Sequence, residues 1–170
     1  MTPEQDHWGA PRRRTVTWYD PAILGAAAAE LSGRDLLQAI ADGRLPDPPM
    51  ANLVRVRLEL VGDGEVRLRC TPDESASNTL GAIQGGLLCT LLDFAAGAAV
   101  HSLLPAGVGV SSIEIKVSYL RALRAGTGGI QVHGEALRVG RRIAFAEARA
   151  RNGDGELVGH ATSSIAVLRP

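Results

Sequence analysis

One apolar run, residues 87–104, constrains the fold of this 170-residue chain more than any other feature. Its single acid is Asp93, and its length approaches what a membrane-spanning helix needs. A central aspartate, however, costs about 3 kcal/mol even on a lenient insertion scale. Because a helix that is apolar nearly all round must be enclosed by other elements, the run predicts a buried helix and no membrane span.

Six strand-like segments surround this run and predict an antiparallel sheet. Residues 53–61 and 66–70 precede the run, and the later segments are 112–119, 130–139, 141–151 and 156–168. Their links have hairpin lengths. A sheet curled around one helix is the simplest enclosure for the apolar run, so the predicted class is α+β.

Alternation in the first segment after the run predicts which way its side chains point. Ile113 and the alternate residues after it, up to Tyr119, are expected on one face. Ser112, Glu114 and Lys116 are expected on the other.

The first fifty residues have a different pattern. Asp20-Pro21 is a good helix start for residues 22–31, and residues 34–42 form a second amphipathic piece. Proline then makes residues 45–49 a stiff extended connector. The predicted organisation is an N-terminal helical extension, residues 1–50, before one domain, residues 51–170.

Composition excludes several classes of function. The formal net charge is zero and aromatic residues make up 4% of the chain, which argues against nucleic acid as a partner. Cys70 and Cys89 are too few for a disulfide scaffold, and they indicate a reduced, cytoplasmic protein. The histidines have no partners at ligand spacing, so no metal is expected.

The glycine pair before the run adds chemistry to the helix. Gly85 and Gly86 expose backbone N–H groups at a helix start, where the macrodipole favours negative charge. Asp93 follows further along the same helix. An anion-stabilising tip and a nearby acid outline an acyl-transfer site.

The spacing of Asn78, Gln84-Gly85-Gly86 and Asp93 resembles the PaaI type of hotdog-fold acyl-CoA thioesterases. That pattern is an amide residue, a His-Gly-Gly six positions later, and an acid nine positions beyond the histidine. The resemblance runs from about residue 53 to residue 168 and includes the strand after the helix and the Gly140-Arg141-Arg142 turn. It implies a hotdog fold, a curled antiparallel sheet wrapped around one long central helix.

The resemblance also implies roles for particular residues. Asp93 would act either as the general base that activates water or as the nucleophile. The Gly85 N–H would hold the oxyanion, Asn78 would orient the water or the acid through its amide, and Ser112 would assist the water. The site would form between two subunits of a homodimer, or of a tetramer of two dimers. No metal or redox cofactor is implied.

Substrate contacts follow from the same resemblance. Gly86 would lie against the substrate, and arginine forks suit the phosphates of coenzyme A, which points to Arg121, Arg141 and Arg142. An acyl tunnel would be lined by apolar helix residues such as Leu87, Leu91 and Phe94. With few aromatic residues available, an aliphatic acyl group is favoured over an aromatic one.

Two departures from the pattern keep alternatives open. Gln84 stands where the family has histidine, and Gly97 stands where some related enzymes have a hydroxyl. If that histidine only supports the turn, glutamine can replace it, but a chemical role would be lost. A non-catalytic acyl-CoA-binding module is therefore the alternative. A hotdog hydratase is disfavoured because it would need that histidine.

Overall fold

The computed structural model of the chain describes residues 8–126 and 128–169, and its elements follow the predicted order. Residues 1–7 of the predicted extension lie outside this range. The helices are α1 (Ala22–Glu30), α2 (Gly33–Ala41), α3 (Pro49–Val54) and α4 (Gly85–His101). The strands are β1 (Val56–Val61), β2 (Glu65–Cys70), β3 (Gly109–Tyr119), β4 (Ile130–Val139), β5 (Ile143–Arg151) and β6 (Leu157–Leu168).

The six strands form one antiparallel sheet that packs against α4. Their order is β1-β2-β4-β5-β6-β3, and α4 contacts β2, β3, β4, β5 and β6. The predicted antiparallel sheet around one central helix is therefore confirmed. No helix within the described ranges is long and apolar enough to cross a bilayer.

The hairpin-length link between β3 and β4 does not join neighbouring strands. β4 pairs with β2, whereas β3 pairs with β6 at the far edge of the sheet. The chain leaves β2, runs through α4 and returns at the opposite edge, so the next strand fills the middle of the sheet. Local turn signals do not report this crossing.

The helix approaches the sheet closely because the residues between them are small. A Cβ on Gly134 of β4 would lie 2.2 Å from the carbonyl oxygen of Ala95. Strand β5 presents buried alanines to the same helix, at positions 144, 146, 148 and 150. Larger side chains there would push the helix away from the sheet.

The N-terminal helices pack against one side of this core. α2 buries Leu36 and Ala39, and a Cβ on its Gly33 would lie 1.8 Å from the carbonyl oxygen of His101 at the end of α4. α1 has no buried residue.

Leu53 and Val54 were predicted to be strand, and this is wrong. They belong to α3, which has proline at its first position and is preceded by the extended Pro48. The helix ends at Arg55, whose φ of 59° turns the chain into β1. A proline start and a left-handed end confine this helix to one short segment.

Candidate active site

The acid predicted from the sequence lies beside the edge strand β3. Asp93 is half-buried, and its Oδ1 accepts a hydrogen bond from the Ser112 hydroxyl at 2.6 Å. No described residue donates to its Oδ2. The carboxylate is therefore oriented by one partner and keeps one oxygen available for a further group.

Ser112 reaches Asp93 because of a β-bulge, which overturns the predicted facing of this strand. Pairing with β6 shifts register between Ser112 and Glu114, which leaves Ile113 as the extra residue. Ser112 consequently lies opposite the fully buried Ile165, on the α4 side of the sheet. Simple alternation had placed it with Glu114 on the outer face.

The glycine tip opens α4 as predicted. Gln84 is the N-cap residue, and its carbonyl accepts the Leu87 N–H at 3.0 Å. The N–H groups of Gly85 and Gly86 have no acceptor among the described residues. These amides form the positive end of the helix, where an anion is stabilised.

Tyr119 packs against the glycine tip, a contact that sequence reasoning missed. A Cβ on Gly85 would lie 3.3 Å from Cε1 of the Tyr119 ring. The residue closes β3 on the face that looks toward α4, opposite Gly159. The only sequence signal for the contact between Tyr119 and Gly85 was the alternation of β3, which places Tyr119 on the same face as Ile115 and Val117.

Asn78 lies in the loop before α4, in reach of the same tip. Its Oδ1 accepts the N–H groups of Leu80 and Ala82, at 2.9 and 3.1 Å. Asn78, Gly85 and Arg121 line one cavity of about 350 Å³. The side-chain oxygen therefore shapes the loop, and the Nδ2 donor is the part left for a ligand.

Gln84 holds the turn through its backbone. Its N–H donates to the Ala76 carbonyl at 2.8 Å, and its side chain is exposed without a capping hydrogen bond. It borders a second cavity, of about 300 Å³, which also contains Gly86, Leu87 and Thr90. We call this the outer cavity.

Within one chain, the acid and the glycine tip are separate. Eight residues of helix put Asp93 about 12 Å from Gly85. Arg141 and Arg142 lie further from Gly85 than Asp93 does. They are in the turn between β4 and β5, at the end of the sheet opposite to the glycine tip. A single chain therefore joins Asn78, Gly85 and Arg121 around one cavity and Ser112 with Asp93, but it does not bring these two groups together.

The predicted tunnel residues divide between core and cavity. Leu91 is fully buried in the core, so its assignment to a tunnel is wrong in this structure. Leu87 borders the outer cavity, and Phe94 borders another apolar cavity further along α4. Positions on a helix alone do not reveal which apolar side chains meet the sheet.

The described residues offer no group of side chains that could hold a metal ion. No cluster of three or more His, Cys, Asp or Glu is present among residues 8–126 and 128–169. Both cysteines are free, and burial raises the pKa of the Cys70 thiol to about 11, although Arg55 opposes this. Cys70 donates to the Val54 carbonyl at 3.1 Å, as an inert core thiol does.

Comparisons with known proteins identify the family. The profile of the thioesterase superfamily matches residues 80–159. A Halobacterium salinarum protein named a "putative esterase" is 35% identical over 114 residues, which cover 64% of this chain and 74% of that protein. The chain belongs to the thioesterase superfamily.

Solved structures agree with this assignment. The phenylacetic acid degradation-related protein of Ralstonia eutropha JMP134 superposes with a TM-score of 0.71 at 25% identity, over 77% of this chain and 98% of that one. A hypothetical thioesterase of Streptococcus pneumoniae, crystallised with coenzyme A, gives a TM-score of 0.61 at 27% identity, over 68% and 88%. The fold is therefore the hotdog fold of these thioesterases.

Proposed function

We propose that this protein is an acyl-CoA thioesterase of the PaaI type, which hydrolyses an acyl-CoA to a free carboxylic acid and coenzyme A. The observation that carries the proposal is the Asp93 carboxylate, held at 2.6 Å by Ser112 at the open edge of the sheet. Coenzyme A bound to the Streptococcus relative supports the choice of thiol.

The catalytic unit in this proposal is a homodimer formed through β3. This strand is an edge of the sheet, and its Ile113 is 59% exposed. A long edge strand with an exposed apolar residue is suited to pairing with a second copy. Antiparallel pairing of two β3 strands brings the Ser112 end of one toward the Tyr119 end of the other. Asp93 then approaches the partner's glycine tip, and two such dimers would form the tetramer.

The chemistry follows from those two groups. A water hydrogen-bonded to Asp93 Oδ2 loses its proton to the carboxylate as its oxygen attacks the thioester carbonyl. The Gly85 N–H stabilises the resulting oxyanion. The C–S bond then breaks, and the departing sulfur takes the proton, which yields the acid and the thiol. In the covalent variant, Asp93 attacks first and water hydrolyses the mixed anhydride.

The arginines are assigned to the phosphates of coenzyme A. Arg121 borders the cavity at the glycine tip and forms a long ion pair with Glu156, at 3.7 Å. Arg141 and Arg142 are exposed, and β3 pairing would carry them toward the tip of the partner. Guanidinium forks on an accessible surface match phosphate geometry. Gly86 and Asn78 complete the contacts near the carbonyl.

The proposed function does not require the histidine that the family pattern has at position 84, where this chain has glutamine. Backbone hydrogen bonds to Ala76 and Leu87 already fix the turn, so the side chain at position 84 is not needed to hold the glycine tip. This favours a working hydrolase over the non-catalytic binding module.

The test is thiol release from a panel of acyl-CoA substrates, followed with a thiol-trapping dye. We expect turnover by the natural protein and a loss of about a thousandfold in kcat for Asp93→Asn, which keeps the shape but removes the base. Asp154→Asn, in an exposed turn, is the matched control and should leave kcat unchanged. Calorimetric binding of coenzyme A by Asp93→Asn should persist. Binding without thiol release by the natural protein would instead establish the binding module.

Co-expression of two inactive variants tests the shared site. Gly85→Pro removes the oxyanion N–H at a helix position where proline is tolerated. In a dimer of this variant with Asp93→Asn, one of the two sites has both the acid and the Gly85 N–H. Random pairing makes about half of the dimers mixed, so about a quarter of natural activity should return. No restoration would place acid and glycine tip in the same subunit.

A further inference from the structure

A third cavity lies between the N-terminal helices and α4, and it has no role in the chemistry above. We call it the inner cavity. Its volume is about 150 Å³, and its walls come from α2, α3, β1, β2 and α4. The walls are mainly aliphatic, with Leu37, Ile40, Ala51 and Leu58 on the side away from α4. The ion pair between Arg57 and Asp47, at 3.0 Å, stands at its border.

The inner and outer cavities lie in a row along one side of α4. Leu87 and Thr90 border the outer cavity, and Phe94 and Ala98 border the inner one. These four residues recur at helical spacing and so share one stripe. From Gly86 to Ala98, the stripe extends about 18 Å from the glycine tip.

Helix α3 lies over both cavities. Met50, Leu53 and Val54 border the outer cavity, whereas Ala51 borders the inner one. The wall opposite α4 thus comes from residues before position 80, which the superfamily profile does not match. This part of the chain is where its specificity can differ from that of its relatives.

We propose that the inner cavity receives the far end of an aliphatic acyl chain, and that α2 and α3 form the wall that limits chain length. The inference rests on the proposed function. The outer cavity begins at Gly86, beside the amides assigned to the carbonyl, so a chain leaving that point runs along the stripe toward Phe94. An apolar, narrow site between packed helices suits a flexible alkyl chain and excludes charged or branched groups.

Filling the inner cavity from two opposite walls tests this proposal. Ala98→Phe projects from α4 and Leu37→Phe from α2, while Ala106→Phe, in an exposed turn, is the matched control. The assay compares kcat/KM for acetyl-, butanoyl-, octanoyl-, dodecanoyl- and hexadecanoyl-CoA. The natural protein should prefer octanoyl- or dodecanoyl-CoA to acetyl-CoA.

Each filling variant should lose about tenfold or more in kcat/KM for dodecanoyl-CoA, because methylenes are shut out of an apolar site. Butanoyl-CoA should be hydrolysed by both variants as by the control. A variant that circular dichroism shows to be misfolded is set aside, and the other variant then decides. Unchanged chain-length preference in both folded variants overturns the proposal.

Calorimetry with non-hydrolysable thioethers separates this inference from the proposed function. Dodecyl-CoA should bind the natural protein about tenfold or more tightly than butyl-CoA, and Ala98→Phe should abolish the difference. This holds whether or not the protein releases thiol. Equal binding of the two thioethers overturns the inner-cavity proposal, while absence of hydrolysis with length-dependent binding overturns the hydrolase alone.

Discussion

The two sides of α4 differ sharply, although Thr90, Asp93 and His101 are the only residues with polar or charged side chains in this helix besides Cys89. The side toward the sheet is filled: Leu92 and Ala95 are fully buried there, against strands rich in alanine. The other side, which we call the open side, carries Gly86, Thr90, Asp93 and Gly97, all at least partly exposed. A Cβ on Gly97 would meet no atom within 4 Å.

The two sides of α4 therefore have different tasks: one stabilises the fold and the other carries the candidate catalytic acid. The filled side holds the fold together through close packing, and the open side keeps an oriented carboxylate near unoccupied space. The filled side needs apolar residues for packing against the sheet. The open side can also carry them, because substrate and a second subunit are expected to cover it.

Substitutions on the two sides of α4 should therefore act in opposite directions. Leu92→Ala should lower the free energy of unfolding by about 3 to 5 kcal/mol, because it leaves a void under the sheet. Gly97→Ala should raise it by up to about 1 kcal/mol through helix propensity, yet lower kcat/KM several-fold by intruding on the open side. Urea unfolding and the thiol-release assay measure both effects.

If Gly97→Ala gains stability without any loss of activity, the open side is merely solvated and the comparison between the two sides fails.

The glycine tip gives the next largest effect. Gly85→Pro should reduce kcat about a hundredfold or more, since it removes the N–H assigned to the oxyanion. Proline fits here because Gln84 is already extended, with ψ of 131°. Gly85→Ala is the control: it keeps the N–H and adds only a methyl group beside Tyr119. Equal losses in both variants would point to crowding of that ring and away from a lost donor.

Orientation of the acid should matter less than its presence. Ser112→Ala removes the hydrogen bond to Asp93 and should lower kcat about tenfold, as expected for a bond to a charged group. Ser112→Thr keeps the hydroxyl and should restore most of that activity. The kinetic parameters of both variants, measured with one acyl-CoA, check this; a Ser112→Ala variant with natural kcat would make the contact incidental.

The smallest effect concerns the far end of α4. Burial lowers the pKa of His101, although a hydrogen bond with the Val108 backbone opposes this. The unfolded imidazole takes up its proton near pH 6.5, whereas the folded one resists it until lower pH. Its contribution to stability is therefore present above that pH and is lost as the pH falls through the folded pKa.

His101→Gln should flatten the decline of the melting temperature between about pH 7 and pH 5. A decline as steep as in the natural protein would assign the acid sensitivity to other groups.

Much of the fold could be predicted from the sequence, because its signals are local. Glycine turns and alternation located the strands, and the glycine pair located the start of α4. The position of β3 at the far edge could not be predicted, since pairing with β6 depends on where α4 returns the chain. Leu53 and Val54 were assigned to a strand because their apolar pattern hid the helix that Pro49 begins.

The candidate site was proposed from residue types, and its arrangement could be predicted only in part. Spacing on α4 identified Asp93 and Gly85, and the structure keeps them on different turns of one helix. The family resemblance singled out Ser112 as a residue that assists the water, but its hydrogen bond to Asp93 was not predicted, and alternation alone placed it on the face opposite to Ile113. The inner cavity escaped prediction because its walls come from elements distant in sequence.

The extra residue at position 113 sets the phase of the whole strand. Residues 109–112 keep one alternation and residues 114–119 keep the other, so residue 110 shares the inward face of Ser112, whereas residue 114 does not. A design that transfers the Asp93–Ser112 pair to another curled sheet must therefore include the bulge. Without it, the serine hydroxyl would point to solvent on the outer face of the sheet.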